Sequence, residues 1–194
     1  MSETVTPEQR TALEALEYSD TWLTTGILDP ALLAEQHQRL QSGGTRKLAK
    51  YRAQALAAWC SREGAIDEGE IEAYLALAAA DPDAKLAQLA IVELIQSPRL
   101  ALAQLSGLAG SDPKLLRRHE PLIRRVYLTR RLEEGVTDEL VQQVIELKDA
   151  SVQTALIRDS RLARKHAELL AKQGANLTIR EMAQAWFQDK KAWK

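Results

Sequence analysis

Asp81, Asp112 and Asp149 stand 31 and 37 residues apart, each in a short turn between two stretches whose Leu, Ala, Ile and Val recur at three- and four-residue steps. That periodicity gives amphipathic helices, and a short capping turn sets two of them antiparallel. Neither helix of such a pair buries its apolar stripe alone, so the pairs must close their core against one another. Aromatic residues make up 5% of the chain and the hydrophobic 45% is mostly Leu and Ala, which favours helix over strand.

Capping signals punctuate the sequence. Thr6-Pro7-Glu8-Gln9 carries an N-cap, a proline at the first helical position and a Gln at the capping-box position. It predicts a helix running through Leu13, Leu16 and Leu23 to Gly26. Asp29-Pro30 starts a second, ended by Ser42-Gly43-Gly44, and Thr45 opens a third that runs to Gly64. Three helical pairs are then expected: Asp67 to Ala80 with a helix ending near Gln96; Ser97-Pro98 to Gly110 with a helix towards Gly135; and a helix capped by Thr137 with one from Val152 to Gly174. Pro121 predicts a kink or a fresh start in the second pair. Asn176 caps a last helix carrying Met182, Ala185, Trp186 and Trp193 on its apolar side. The expected organisation is a single all-helical domain, 1–194, with an N-terminal helical cap over 1–66, helical-hairpin repeats over 67–174 and a C-terminal capping helix over 175–194.

The stretch Asp81-Pro82-Asp83-Ala84-Lys85-Leu86-Ala87-Gln88-Leu89-Ala90 resembles the inter-helix turn and second-helix start of HEAT-type repeats, with Leu86 and Ala90 at the apolar positions. Ser97-Pro98 through Leu108-Ala109, then Asp112-Pro113 with Leu116-Arg117, is similar to the leucine-rich-repeat variant pattern. Ala87 and Gln153 stand where that pattern has Arg. The resemblance covers about residues 67–174 and implies an all-α fold, a right-handed α-α superhelix of stacked hairpins. An irregular helical bundle is the alternative arrangement of the same helices.

The net charge of -1 hides an asymmetry: residues 1–97 carry 8 Lys/Arg against 15 Asp/Glu, and 98–194 carry 18 against 12. Arg117, Arg124 and Arg131 fall seven apart, as do Arg118 and Arg125, which collects them on one stripe of a helix. Arg158, Arg161, Arg164 and Lys165 recur in the next pair. These nine residues are the candidate binding surface. Its expected partner is an acidic protein, with a phosphate backbone as the alternative, where guanidinium forks neutralise charge without reading bases. The plain alternative is a solvated face whose arginines pair with Glu120, Glu133, Glu134 and Asp159. Association of two copies through the charge asymmetry is a further option.

Chemistry-bearing patterns are sparse. His37, His119 and His166 lack paired-ligand spacing, so no metal is expected. Cys60 follows Trp59 in an apolar helix and reads as a packed thiol. There is no Gly-rich phosphate loop or nucleophile elbow, so no cofactor is expected. The single cysteine, the absence of a signal-like start and the lack of a long apolar run point to a cytoplasmic protein without a membrane segment. A non-enzymatic binding or scaffold protein is the leading expectation. The alternative is a nucleic-acid-binding protein, of which an alkylpurine DNA glycosylase of the HEAT-like kind would be the enzymatic form, with Trp186 and Asp189 supplying an aromatic and a carboxylate.

Overall fold

A computed structural model describes residues 5–109 and 114–188, and every regular element among them is an α-helix. In chain order these are α1 (Pro7–Ala15), α2 (Thr21–Thr24), α3 (Pro30–Gln41), α4 (Ala49–Cys60), α5 (Glu68–Ala80), α6 (Ala84–Gln96), α7 (Leu102–Ala109), α8 (Lys114–Arg117), α9 (Glu120–Glu134), α10 (Asp138–Leu147), α11 (Ala150–Arg158), α12 (Arg164–Gln173) and α13 (Leu177–Gln188). The chain divides into two compact units. The first holds α1 to α6 with α8; the second holds α7 with α9 to α13. The turn expected at Asp112-Pro113, and Asp189 and Trp193 at the far end, lie outside the described residues.

Local capping chemistry sets most helix starts. Thr6 and Asp67 close reciprocal capping boxes with Gln9 and Glu70, while Asp29, Thr137 and Asp149 accept from first-turn amides of α3, α10 and α11. Pro121 sits in the first turn of α9, so the second expected pair does restart there.

The helix expected from Thr45 to Gly64 spans only Ala49–Cys60, and three others are also shorter than the pattern predicts, each of these three for a visible reason. The first stops at Ala15 because Glu17 takes a left-handed conformation (φ 58°), a turn that buries both Leu16 and Tyr18. The helix expected from Pro98 begins only at Leu102: Ser97 Oγ donates to the Cys60 carbonyl (2.7 Å), and Arg99 donates to the carbonyls of Trp59 (2.7 Å) and Gly64 (3.0 Å). Those bonds satisfy the last carbonyls of α4 and hold the segment out of a helix. The helix expected over 152–174 is two, because Asp159 ends α11 and Leu162 dips into the core before α12 begins.

In the first unit Leu13, Leu33, Leu56, Tyr74, Ile91 and Leu94 pack a core essentially closed to solvent. Polar groups are built into it. Gln36, fully buried, accepts from the Tyr18 hydroxyl (2.8 Å) and donates to the Tyr51 carbonyl (3.0 Å), tying the α1–α2 turn to α3 and α4. Arg52 meets Asp81 through Nε (2.7 Å) and Nη2 (3.3 Å), with side-chain exposures of 4% and 1%. Asp81 thus ends α5 and turns its carboxylate inward, while Asp83 caps α6; Asp149 caps α11 directly. The two described turn aspartates are therefore not equivalent.

The second unit's core is Leu128, Leu140, Val144, Leu156, Leu170 and Ile179 with their neighbours. Here α7 packs on α9, α9 on α10 and α11, α10 on α12, and α11 and α12 on α13. Gln153 is the buried polar tie: its amide donates to the Val144 carbonyl (3.1 Å) and its oxygen accepts from the Ala175 amide (2.7 Å). Gly174 allows the close α12–α13 turn, since a Cβ there would lie 2.7 Å from the Leu170 carbonyl oxygen and 2.8 Å from Ile179 Cγ2.

Candidate binding surface

The nine basic residues singled out in the sequence fall into both units. Arg117, in α8, and the adjoining Arg118 are exposed and belong with the first. The other seven belong to the second, so the seven-residue stripe continues along one helix only through Arg124 and Arg131 of α9.

Most of these seven are already engaged. Arg124 pairs with Glu120 one turn back (2.7 Å), and Arg125 lies 3.9 Å from Asp149. Arg131 lies 3.4 Å from Glu134, donates to the Tyr127 hydroxyl (3.0 Å) and has its guanidinium 5.9 Å from that ring's centre. Arg161 pairs with Asp159 (2.7 Å) and donates to the last carbonyls of α9, Leu132 (2.5 Å) and Glu133 (3.4 Å). Arg164 stacks over Phe187 at 4.8 Å, and Lys165 pairs with Asp138. Arg158 is exposed in the last turn of α11, where a cation complements the helix dipole.

Electrostatics follow from these contacts. Hydrogen bonds from Lys165 and His166 hold the Asp138 carboxyl below the ordinary carboxylate range. The Arg161 guanidinium does the same for Asp159, and Lys172 for Glu168. The Asp138–Lys165–His166 cluster, with His166 Nε2 at 2.7 Å from Asp138, spans nearly thirty residues of sequence and gave no local signal. His166 is 6% exposed at its side chain, and its Nδ1 is the one buried side-chain polar atom without a hydrogen-bond partner among the described residues.

Between α7, α9 and α10 the second unit opens a cleft of about 390 Å³. Leu105, Ile123 and Leu128 form its buried floor, Tyr127 and Leu147 its half-buried walls, and Arg124, Gln143 and Glu146 its polar edge. Gln143, Glu146 and Leu147 fall on one face of α10 by their spacing, a signal present in the sequence. That α7 and α9 leave this face partly uncovered depends on packing.

The remaining reactive side chains are occupied. Burial pushes the Cys60 thiol up to about 11, and its sulfur lies 3.5 Å from the Tyr74 hydroxyl, which donates to the Ala90 carbonyl (3.0 Å). The thiol therefore stays protonated at neutral pH. His119 is half-buried, bonded to Gln88 (2.9 Å); desolvation, then the Arg118 charge, lowers its pKa. Among the described residues no group of three or more His, Cys, Asp or Glu is placed to hold a metal ion, and no helix is long and apolar enough to cross a membrane. Compared with family models, curated proteins and solved structures, the chain matches none.

Proposed function

We propose that this is a non-enzymatic binding or scaffold protein whose second unit receives a segment of a protein partner in the cleft between α7, α9 and α10. The carrying observation is that cleft: a floor of Leu105, Ile123 and Leu128 beside the exposed charges of Arg124 and Glu146, in a volume that accommodates a large apolar side chain. An apolar anchor seated in a pocket with charged residues at its edge is the arrangement that concentrates binding energy in protein recognition. Arg124 lines the site and favours an acidic segment, exchanging its present partner Glu120 for a carboxylate of the ligand.

The packing of α9 on α11, of α10 on α12 and of α11 on α13 supports reading the hairpins as stacked in the manner of HEAT-like repeats, here as a superhelix with a curved face. The nucleic-acid alternative, including base excision, is the weaker reading. Arg124, Arg125, Arg131, Arg161 and Lys165 each have a carboxylate within 4 Å, which lowers the field a phosphate backbone would meet.

Filling the cleft tests the reading. Ser106→Trp places an indole in it from an exposed position on α7. A photo-crosslinking residue at position 143 should capture a protein partner in host extract, and the tryptophan variant should lose that partner while melting normally. Capture undiminished by Ser106→Trp would overturn the assignment. A salt-titrated gel shift decides the alternative, since phosphate binding weakens steeply with salt.

A further inference from the structure

The first unit carries the acidic half of the sequence, with 15 Asp/Glu against 8 Lys/Arg in residues 1–97. Four of those eight cations are committed: Arg10 to Asp20, Arg39 to Glu35, Arg52 to Asp81 and Glu17, and Arg62 to the carbonyls of Gly26 and Ile27. The other four, Arg46, Lys47, Lys50 and Lys85, are exposed, and all four line a single open groove of about 790 Å³ between the start of α4 and the start of α6. We propose that this groove binds a compact oligophosphate, an anion of several linked phosphates, held between Arg46, Lys47 and Lys50 on one side and Lys85 on the other.

The groove's electrostatics favour an anion of high charge. Of its two acids, Glu17 already faces Arg52 (3.5 Å), and Asp83 caps the Lys85 and Leu86 amides (2.9 and 3.3 Å). With Arg52 and the carboxylates of Glu17, Asp81 and Asp83 counted alongside the four exposed cations, the groove keeps a net charge of +2. Three of these cluster at the N-terminal end of α4, which has no side-chain cap and no acidic residue in its first turn. Cations there oppose the helix dipole and repel one another, a standing cost that a bound anion removes.

The lining also selects the kind of phosphate. Three of the four cations are lysines, point charges that neutralise phosphate without planar recognition. The groove wall contains no aromatic ring on which a nucleobase could stack, and its cations converge from two helix starts on one place, so they do not follow a line. The ligand's affinity therefore resides in its phosphates, whether the source is inorganic oligophosphate or the tail of a nucleotide.

Calorimetric titration of the full chain at low salt tests this with inorganic triphosphate, ATP, orthophosphate and a random duplex DNA as probes. Triphosphate should bind, ATP should bind comparably and orthophosphate far more weakly. Lys47→Ala/Lys85→Ala and, separately, Arg46→Ala/Lys50→Ala should each weaken triphosphate at least tenfold with unchanged helicity and melting, because all four side chains are exposed. Arg180→Ala, which removes an exposed cation of the second unit, should leave binding unaltered. Silence with triphosphate, equal binding by both double variants, an equal loss in Arg180→Ala, or binding of ATP or DNA without triphosphate would each overturn the proposal.

Discussion

The two units handle charge in opposite ways. In the first, an arginine and an aspartate are drawn into the interior, Gln36 ties a turn to two helices from within the core, and four cations stand exposed along one groove with no ion pair among the described residues. In the second, ion pairs lie on the surface, as with Arg124–Glu120 and Lys165–Asp138, and the core is apolar apart from Gln153 and His166. Net charge is thus a poor guide for both: the acidic half of the sequence holds the open cationic groove, and the basic half sets Arg124, Arg125, Arg131 and Arg161 beside carboxylates. Charge composition tells how many ions a surface carries, whereas pairing decides what field a ligand meets.

The sharpest test of that contrast is removal of one partner from the interior ion pair. Asp81→Ala leaves the Arg52 guanidinium buried and uncompensated, and should cost about 3 to 5 kcal/mol in denaturant titrations. Glu17, 64% exposed, is too solvated to take over. A loss under ~1 kcal/mol would mean that water reaches Arg52, and would erase the difference between the units.

Leu156→Ala is the matching lesion in the second core and should cost about 2 to 5 kcal/mol. Hydrogen exchange read helix by helix should show lost protection in α9 to α13 while α1 to α6 keep theirs. Uniform loss over both units would show that they unfold as one.

Gln153→Leu should cost about 1 to 3 kcal/mol, because it strands the Val144 carbonyl and the Ala175 amide in a buried place. A neutral outcome would identify that site as plastic and the core as purely apolar in its demands.

Acid should discriminate between the units more gently. Asp138, Asp159 and Glu168 all have folded-state pKa values below their ordinary ones, so their contribution is complete above the unfolded values of 3.8 to 4.5 and is lost as pH falls through the lower folded values. Asp138→Asn should therefore flatten the acid limb of the second unit's stability by lowering it slightly at neutral pH, where the carboxylate's contribution is complete, and leaving it unchanged below the folded-state pKa; an unchanged acid limb would show the cluster to be fully screened. Smallest of all, Arg124→Ala should change stability by about 0 to 1 kcal/mol, since its pair with Glu120 is exposed on both sides.

Legibility in the sequence follows the range of the interaction. Thr6, Asp29, Asp67, Thr137 and Asp149 each sit where local capping chemistry places them, and Leu86 and Leu116 are buried as their periodicity predicts. Pro121 restarts a helix for reasons contained in its own ring. The breaks at Glu17, at Ser97 to Leu100 and at Asp159 to Ala163 escaped the pattern because distant groups enforce two of them: Arg99 reaches the end of α4, and Arg161 the end of α9. The basic residues were visible as residues, but their partners Asp149 and Asp138 lie 24 and 27 positions away.

The sequence by itself determined that this chain is helical, where most of its helices start, and which faces of them turn inward, because caps, prolines and apolar periodicity act within a few residues. Only the tertiary structure decided which charges cancel, which polar side chains enter the core, and where a groove or a cleft stays open. Those outcomes depend on residues far apart in the chain, whose encounter no local pattern encodes.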